Sequence, residues 1–242
     1  MRKPPPYEPA PYEPAPYEPP PAAPFDAVAA RRLREALGMT PAHVAHGMRA
    51  AYGRSVSPSD IAAWELGEAV PDESELTALA GALWCAPADL LGTPGTLRQY
   101  RLARGTAVAD LALLLGMTPH DYEHMERSGH WTGNQRQADA LANALDLPPS
   151  ALLELTGRTD ELAALLRGAV STRWQAYADD VTALVPLPRP RVEAALRALH
   201  TAYQAIATGS LQWGAAPGPT TSATAGQSFL DEIVNHFWER TG

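Results

Sequence analysis

The chain is poor in cysteine, phenylalanine and lysine. Its 242 residues include one cysteine, three phenylalanines and a single lysine, Lys3, among 19 basic residues. The lone Cys85 excludes an internal disulfide, which favours a reducing, cytoplasmic location. Apolar runs stay well short of the roughly 18 residues of a membrane span, and the first residues lack an apolar signal core. We therefore expect neither a membrane protein nor a secreted one.

Positive charge is also scarce. The formal net charge is −8, and acidic residues outnumber basic ones in each of the four segments defined below. Lysine and arginine contacts with phosphates normally supply most of the non-specific affinity of DNA-binding proteins. Any binding of nucleic acid must therefore depend on a few locally placed arginines.

Motifs for catalysis are missing as well. The sequence contains no Gly-rich phosphate loop, nucleophile elbow or paired-carboxylate arrangement. His120 and His124 stand four residues apart, a spacing that can chelate zinc, but no Glu or Cys completes a tetrahedral set. We expect no enzyme, no metal and no cofactor, and we interpret these histidines as exposed polar or phosphate-contacting side chains.

The first 24 residues differ in composition from the rest. They hold 11 of the 24 prolines and repeat the triplet Pro-Tyr-Glu three times. Proline removes backbone donors and favours extended structure, so residues 1–24 are predicted to be a disordered or polyproline II tail. Such a tail is either a spacer or a docking segment for a protein partner.

Two stretches further on have the same pattern, Val56 to Gly67 and Met117 to Gly129. Each has a hydroxyl N-cap, proline at the first helical position, and apolar residues four and seven positions after the cap. Each then carries a glutamate eight positions after the cap and ends at glycine. Apolar residues elsewhere in 25–92 and 95–157 also follow helical spacing, without period-two alternation. We predict an all-α protein with a duplicated five-helix domain, and call these ranges unit one and unit two.

Both units resemble the Cro/C1 repressor, or Xre, type of helix-turn-helix domain. The resemblance covers roughly residues 28–157 and involves motifs in the first four helices of each unit. The matching residues are Leu33-Arg34, Leu97-Arg98, Val44-Ala45, Leu111-Ala112, Ile61, Tyr122, Glu65, Glu126, Pro71, Leu79-Ala80 and Leu141-Ala142. It implies a bacterial transcriptional regulator that binds double-stranded DNA.

In this family the third helix enters the major groove, with base contacts near its start. The resemblance thus implies base contacts from Pro58, Ser59, Ala63, Pro119, His120 and His124. It also implies structural ion pairs of Arg34 with Glu65 and of Arg98 with Glu126. The complete predicted contact set is Arg54, Ser57, Ser59, Asp60, Ala63, Arg101, Arg104, Thr118, His120, Asp121 and His124. None of the base-reading positions is Arg, Lys, Asn or Gln, so only modest sequence specificity is expected.

Unit one departs from the family's spacing. Ala45 and Ser57 are twelve positions apart, whereas Ala112 and Thr118 are six apart. The six extra residues, which include Arg54, lengthen the second helix or the turn after it. They either reach a phosphate or spoil the fit of the third helix, in which case unit one keeps the fold without the activity. Unit two is therefore the better candidate for groove binding.

Residues 158–242 are predicted to form a separate helical module. Apolar stripes indicate one long helix over Leu162 to Leu184 and a second over Val192 to Ile206. Trp213 to Gly226 is predicted to be a loop, and Ser228 to cap the last helix. The apolar stripe of that helix is predicted to form a homodimer, with a ligand sensor as the alternative. The stripe consists of Phe229, Ile233, Phe237 and Trp238.

The sequence leaves two functions open. The first is a DNA-binding transcriptional regulator that acts through one or both units. The second is a protein–protein adaptor, built from helix-turn-helix domains that no longer read DNA. The acidic charge and the missing base-reading residues favour the adaptor, whereas the repeated motif favours the regulator.

Overall fold

The computed structural model describes residues 25–209 and 219–241. These residues form fourteen α-helices and two short 3-10 segments, with no strand among them. The predicted all-α class is thus confirmed. The predicted tail, residues 1–24, lies outside the described residues.

Four helices and a 3-10 segment make up unit one. Their bounds are α1 Ala27–Ala36, α2 Pro41–Tyr52, α3 Pro58–Glu65, α4 Glu73–Ala82 and the 3-10 segment Pro87–Leu90. Each of the four helices is preceded by a capping residue. The side chain of that residue accepts a hydrogen bond from the third amide of the helix, which would otherwise be an unpaired donor. These capping residues are Asp26, Thr40, Ser57 and Asp72. Their helices enclose a core that includes Val44, Met48, Ile61, Trp64, Leu76, Leu79 and Leu90.

Unit two repeats this order of elements. Its helices are α5 Leu97–Ala103, α6 Val108–Leu115, α7 Pro119–Ser128, α8 Gln135–Leu145 and α9 Pro149–Leu155. They enclose a second core that includes Leu97, Leu111, Leu115, Tyr122, Met125, Leu141 and Leu152. The predicted five helical segments are therefore present in each unit.

Residues of the two units correspond with three successive offsets in numbering. In the first two helices the offset is 67, because buried Val44, Ala45 and Met48 match buried Leu111, Ala112 and Leu115. It is 61 from Ser57 and Thr118 through the third helices. In the fourth helices it becomes 62. There the two non-glycine residues with positive φ, Trp84 at 53° and Asp146 at 51°, each lie shortly after the helix.

The six extra residues of unit one are divided between a helix and a turn. Helix α2 has 12 residues and α6 has 8, and each ends at a glycine in the left-handed region. Three residues separate Gly53 from the cap Ser57, whereas one residue separates Gly116 from the cap Thr118. Unit one therefore has one more helical turn and a longer connection to α3.

The C-terminal module is built from more, shorter helices than the sequence predicted. They are α10 Thr159–Ser171, the 3-10 segment Trp174–Tyr177, α11 Ala178–Leu184, α12 Arg189–Gly209, α13 Pro219–Asp231 and α14 Ile233–Thr241. The predicted single helix from Leu162 to Leu184 is wrong, because the helix ends before Thr172, whose hydroxyl bonds back to the Gly168 carbonyl. Both halves still pack on one core, which is why their apolar stripes look continuous.

Two further predictions for this module were wrong. The range predicted as a loop is helical from Pro219 onward, and residues 210–218 lie outside the described residues. Ser228 does not cap a helix, because it lies inside α13 and its carbonyl accepts the amide of Glu232. This stretch consists mainly of alanine, threonine and serine, so no stripe of large apolar residues indicated a helix.

The predicted dimerisation stripe forms the core of the module itself. Phe229, Ile233 and Phe237 are buried, and Trp238 packs partly buried against the same cluster. The cluster also includes Leu162, Leu166, Val181, Leu196 and Leu199. The helices of one chain already cover most of this stripe, so its burial does not support the predicted homodimer, which stays a prediction. In the described residues, no helix combines the length and apolarity needed to cross a membrane.

Candidate nucleic-acid interface

The side of helix α3 that faces the core is buried, and its N-terminal end is exposed. Ile61 and Trp64 anchor it in the core of unit one, with 1% and 4% of their surface exposed. At the start, the Asp60 carboxylate accepts the Ser57 amide at 2.7 Å, and Ser57 Oγ accepts the Asp60 amide at 3.2 Å. Hydrogen bonds from Ser57 hold the pKa of Asp60 below its ordinary value. Ser59 is exposed and Ala63 is half-buried on this helix.

Helix α7 has the same construction in unit two. Tyr122 and Met125 are buried beneath it. Thr118 Oγ1 accepts the Asp121 amide at 3.1 Å and donates to the Asp121 carboxylate at 2.7 Å. His120 and His124, one helical turn apart, are both exposed. The helix therefore presents two imidazoles outward from a fixed scaffold.

The predicted contacts on α3, α7 and their caps thus separate into two groups. Ser57, Asp60, Thr118 and Asp121 bond to one another within their caps, so their polar atoms serve helix formation. Ser59, His120 and His124 are exposed, with Ser59 Oγ 2.7 Å from Ser57 Oγ, and Ala63 is half-buried.

An ion pair between the first and third helices holds α3 in unit one. Arg34 Nε and Nη2 donate to the two carboxylate oxygens of Glu65 at 2.6 and 2.8 Å, and Nη1 donates to the Met39 carbonyl at 2.7 Å. The hydrogen bonds that Arg34 donates to Glu65 raise the pKa of Arg34. The structure contains this pair as the sequence predicted it.

In unit two the corresponding arginine is Arg101. Its Nε and Nη2 donate to the Glu126 carboxylate at 2.7 and 3.1 Å, and Nη1 donates to the Thr106 carbonyl at 3.0 Å. The predicted pair of Arg98 with Glu126 was therefore wrong, as was the role of Arg101 as a free phosphate contact. Arg101 is only 1% exposed, so no phosphate reaches it. The offset of 67, visible in Ala45 and Ala112, identifies Arg101 as the match of Arg34.

Arg101 also contacts unit one. Its Nη1 and Nη2 lie 2.5 and 3.3 Å from the carboxylate oxygens of Glu73, at the start of α4. Arg98 Nη2 lies 3.6 Å from the same carboxylate. Burial lowers the pKa of Arg101, but the hydrogen bonds with Glu126 and Glu73 outweigh it and raise the pKa overall. One guanidinium thus joins α7 of unit two to α4 of unit one.

The two remaining predicted phosphate contacts have different surroundings. Arg104 donates to the Leu145 carbonyl at 3.0 Å and pairs with Asp146 at 2.5 Å, so it holds the end of α8. Its prediction as a free phosphate contact was wrong. Arg54 is exposed and lines a cleft of about 680 Å³ between the two units, together with Tyr52 and Arg98.

Exposed apolar residues are a feature that the sequence analysis missed. Leu113 and Leu114 on α6 are 79% and 66% exposed, and Trp84 after α4 is 87% exposed. The two leucines follow the buried Leu111 and Ala112 and precede the buried Leu115. They therefore lie off the apolar stripe, and that spacing was a signal available in the sequence.

No metal-binding cluster is found in the described part of the chain, where no three His, Cys, Asp or Glu side chains are grouped suitably. Burial raises the pKa of the Cys85 thiol to about 11, so this cysteine is not an activated nucleophile. Comparison with protein-family models, with curated proteins and with solved structures finds no match.

Proposed function

We propose that the chain is a DNA-binding transcriptional regulator that reads duplex DNA through α3 and α7. The observation that carries this proposal is a two-helix arrangement built twice, α2 with α3 and α6 with α7. In each unit, an arginine from the preceding helix, α1 or α5, and a buried apolar pair hold the core-facing side of α3 or α7, while the start of that helix stays exposed. The resemblance to Cro/C1-type domains supports the same function.

Unit two is the main reader in this proposal. A single residue separates Gly116, the glycine that follows α6, from Thr118, the cap of α7, which keeps the short turn of helix-turn-helix domains. His120 and His124 can donate hydrogen bonds to guanine edges or phosphates. Unit one adds Ser59 and Arg54. Arg54 is exposed in the longer turn between α2 and α3, and its positively charged side chain lines the cleft between the units.

The proposal is tested by mixing the full chain with fragmented genomic DNA over a series of salt concentrations. We expect enriched sites at low salt and a steep loss of binding as salt rises, because phosphate contacts release counterions. The double variant His120→Ala with His124→Ala removes the outward side chains of α7 and should abolish enrichment. His130→Ala is the matched control, since His130 is an exposed histidine just beyond the same helix. An absence of enriched sites at low salt rejects the proposal.

The adaptor remains the second candidate, and one observation favours it. Leu113 and Leu114 expose apolar surface on the helix that should lie across the DNA backbone, where charged or hydroxyl side chains serve better. An adaptor would lose its protein partner in the variant Leu113→Ser with Leu114→Ser and keep it in the double histidine variant. A DNA-binding regulator would show the reverse dependence in DNA enrichment.

A further inference from the structure

The two units meet through different faces. Unit one contributes Glu73 and Pro87, at the start of α4 and in the 3-10 segment after it. Unit two contributes α5 and the turn that follows, through the ion pairs of Arg98 and Arg101 with Glu73. A Cβ atom placed on Gly105 would lie 3.3 Å from Pro87 Cγ, so the backbone of this turn rests against that proline.

A two-fold arrangement would repeat every such contact in reverse, because an isologous interface pairs each residue with its equivalent. The equivalents of Glu73 and Arg101 are Gln135 and Arg34, from the offsets of 62 and 67. Arg34 is instead bonded to Glu65 and Met39 within its own unit. Gln135 Oε1 instead accepts a hydrogen bond from Arg158 at 2.7 Å. The reciprocal pair is therefore missing among the described residues.

The second contact gives the same result. Gly105 and Pro87 correspond to Gly38 and Pro149. In the described residues, no heavy atom outside its immediate neighbours lies within 4 Å of a Cβ placed on Gly38. The reverse contact of Gly38 with Pro149 is therefore absent as well. Two independent contacts thus identify a heterologous, head-to-tail junction.

The face of unit two that corresponds to the Glu73 and Pro87 face of unit one also forms contacts. Gln135 on this face binds Arg158, the residue before α10. Leu153 in α9 is buried in the core of the C-terminal module. Unit one, unit two and the module are thus joined in series, each through the corresponding face of the preceding part.

We infer that the target DNA carries its two half-sites in the same direction along the duplex, and not as an inverted repeat. This inference rests on the proposed function and names the kind of site that both units bind together. Palindromic operators mirror the two-fold symmetry of the proteins that read them, and this junction has no such symmetry. Because Arg101 bonds both Glu126 on α7 and Glu73 on α4, the orientation of α7 toward unit one is fixed. Because this orientation is fixed, we expect a single spacing between the two half-sites.

The relative direction of two half-sites can be determined only when their sequences are alike. The wild-type units present different side chains on α3 and α7, so their half-sites should differ. The variant Ser59→His with Ala63→His gives α3 the two histidines of α7, because these positions correspond to His120 and His124. Full-length wild type and variant are each used to select duplexes from a random library at low salt. We expect two unlike elements at one spacing for the wild type, and two like elements in the same direction for the variant.

Binding to synthetic duplexes completes the test. For the variant, two like elements in the same direction should bind at least about tenfold more tightly than the same elements inverted at equal spacing, since only one arrangement engages both units. Adjacent elements selected in inverted orientation, or a single element, overturn the inference while the proposed function stands. An absence of any selected sequence overturns both.

Discussion

Arg34 and Arg101 make the same three hydrogen bonds in the two units, and only Arg101 makes a fourth and fifth. Both donate to a glutamate on the third helix and to a carbonyl five residues ahead. The additional contacts of Arg101 with Glu73 bring a second carboxylate to the same guanidinium. A planar group with five donors suits this task, whereas a lysine ammonium would not.

The buried guanidinium makes Arg101 a strong stability determinant. We expect Arg101→Ala to lower the free energy of unfolding by about 3–5 kcal/mol, because it leaves the Glu126 carboxylate buried and unpaired. Arg98→Ala should cost about 1 kcal/mol or less, because this pair is partly exposed and its atoms are 3.6 Å apart. Urea unfolding of both variants provides the comparison. Equal losses would contradict the assignment of Arg101 as the bridging arginine.

The cap of α3 should respond to acid. The pKa of Asp60 is held below its ordinary value of 3.8 by hydrogen bonds from Ser57. A lowered folded-state pKa stabilises the helix start above pH 3.8, and this contribution is lost as the pH falls below that value. Amide hydrogen exchange of α3 should therefore show weaker protection at low pH, after correction for intrinsic exchange. Asp60→Asn should weaken protection near neutral pH and reduce this pH dependence; an unchanged profile would count against the capping contact.

At the scale of elements, the extra turn of α2 has a contact of its own. The Tyr52 side chain lies directly over the backbone of Gly81 in α4, in the space that a Cβ atom would occupy. In unit two α6 ends one turn earlier. The lengthened helix of unit one is thus packed against α4 and does not merely project into solvent.

A double-mutant cycle can measure this packing. In the background of Tyr52→Ala, we expect Gly81→Ala to stabilise the chain by about 0.5–1 kcal/mol, the usual gain of alanine over glycine inside a helix. With Tyr52 present, the gain should shrink or reverse, because the tyrosine ring must move away. Chemical unfolding of the four proteins supplies the cycle. A coupling free energy of zero would mean that the ring does not rest on Gly81.

Elements fixed by local signals were predictable from the sequence. The starts of α2, α3 and α7 follow from Thr40, Ser57 and Thr118, because a cap and the following proline act within one helical turn. The break between Ser171 and Ala178 was not predictable in this way. Apolar residues before and after the break contact the same core, so their helical spacing alone predicts one continuous helix where the structure has two.

The arrangement of functional residues was predictable only in part. Ile61 and Tyr122, which the sequence matched to the apolar position of the third helix, are 1% and 0% exposed. The pairing of Arg101 with two carboxylates was missed, because Glu73 lies in the other unit and no local pattern links it to α5. Contacts between units depend on tertiary packing, which a single sequence does not encode at short range.

At the scale of the whole molecule, three hydrophobic cores follow one another along the part of the chain that the structure describes. Two belong to the units and the third to the C-terminal module, with Leu153 of α9 belonging to the third core. The aromatic residues at the end of the chain complete this third core. The module therefore needs no second copy to bury them.

Phe237→Ala tests this account. We expect it to lower the free energy of unfolding by about 3–5 kcal/mol, since Phe237 is fully buried and its loss leaves a cavity. The molecular mass in solution, measured by light scattering below the unfolding transition, should stay that of the wild type. A variant that keeps wild-type stability but falls to a smaller assembly would restore this stripe as a subunit interface.

The serial junction has a consequence for polymerisation. Repeating a head-to-tail contact without closure produces open fibres. Among the described residues, the first end has open space beside Gly38, whereas the C-terminal module covers the other end at Gln135 and Leu153. We therefore expect the module to block addition of a further copy at that end. A chain cut after Gly157 would lose Arg158 and expose a complementary end at Gln135 and Leu153, and light scattering should detect its concentration-dependent elongation.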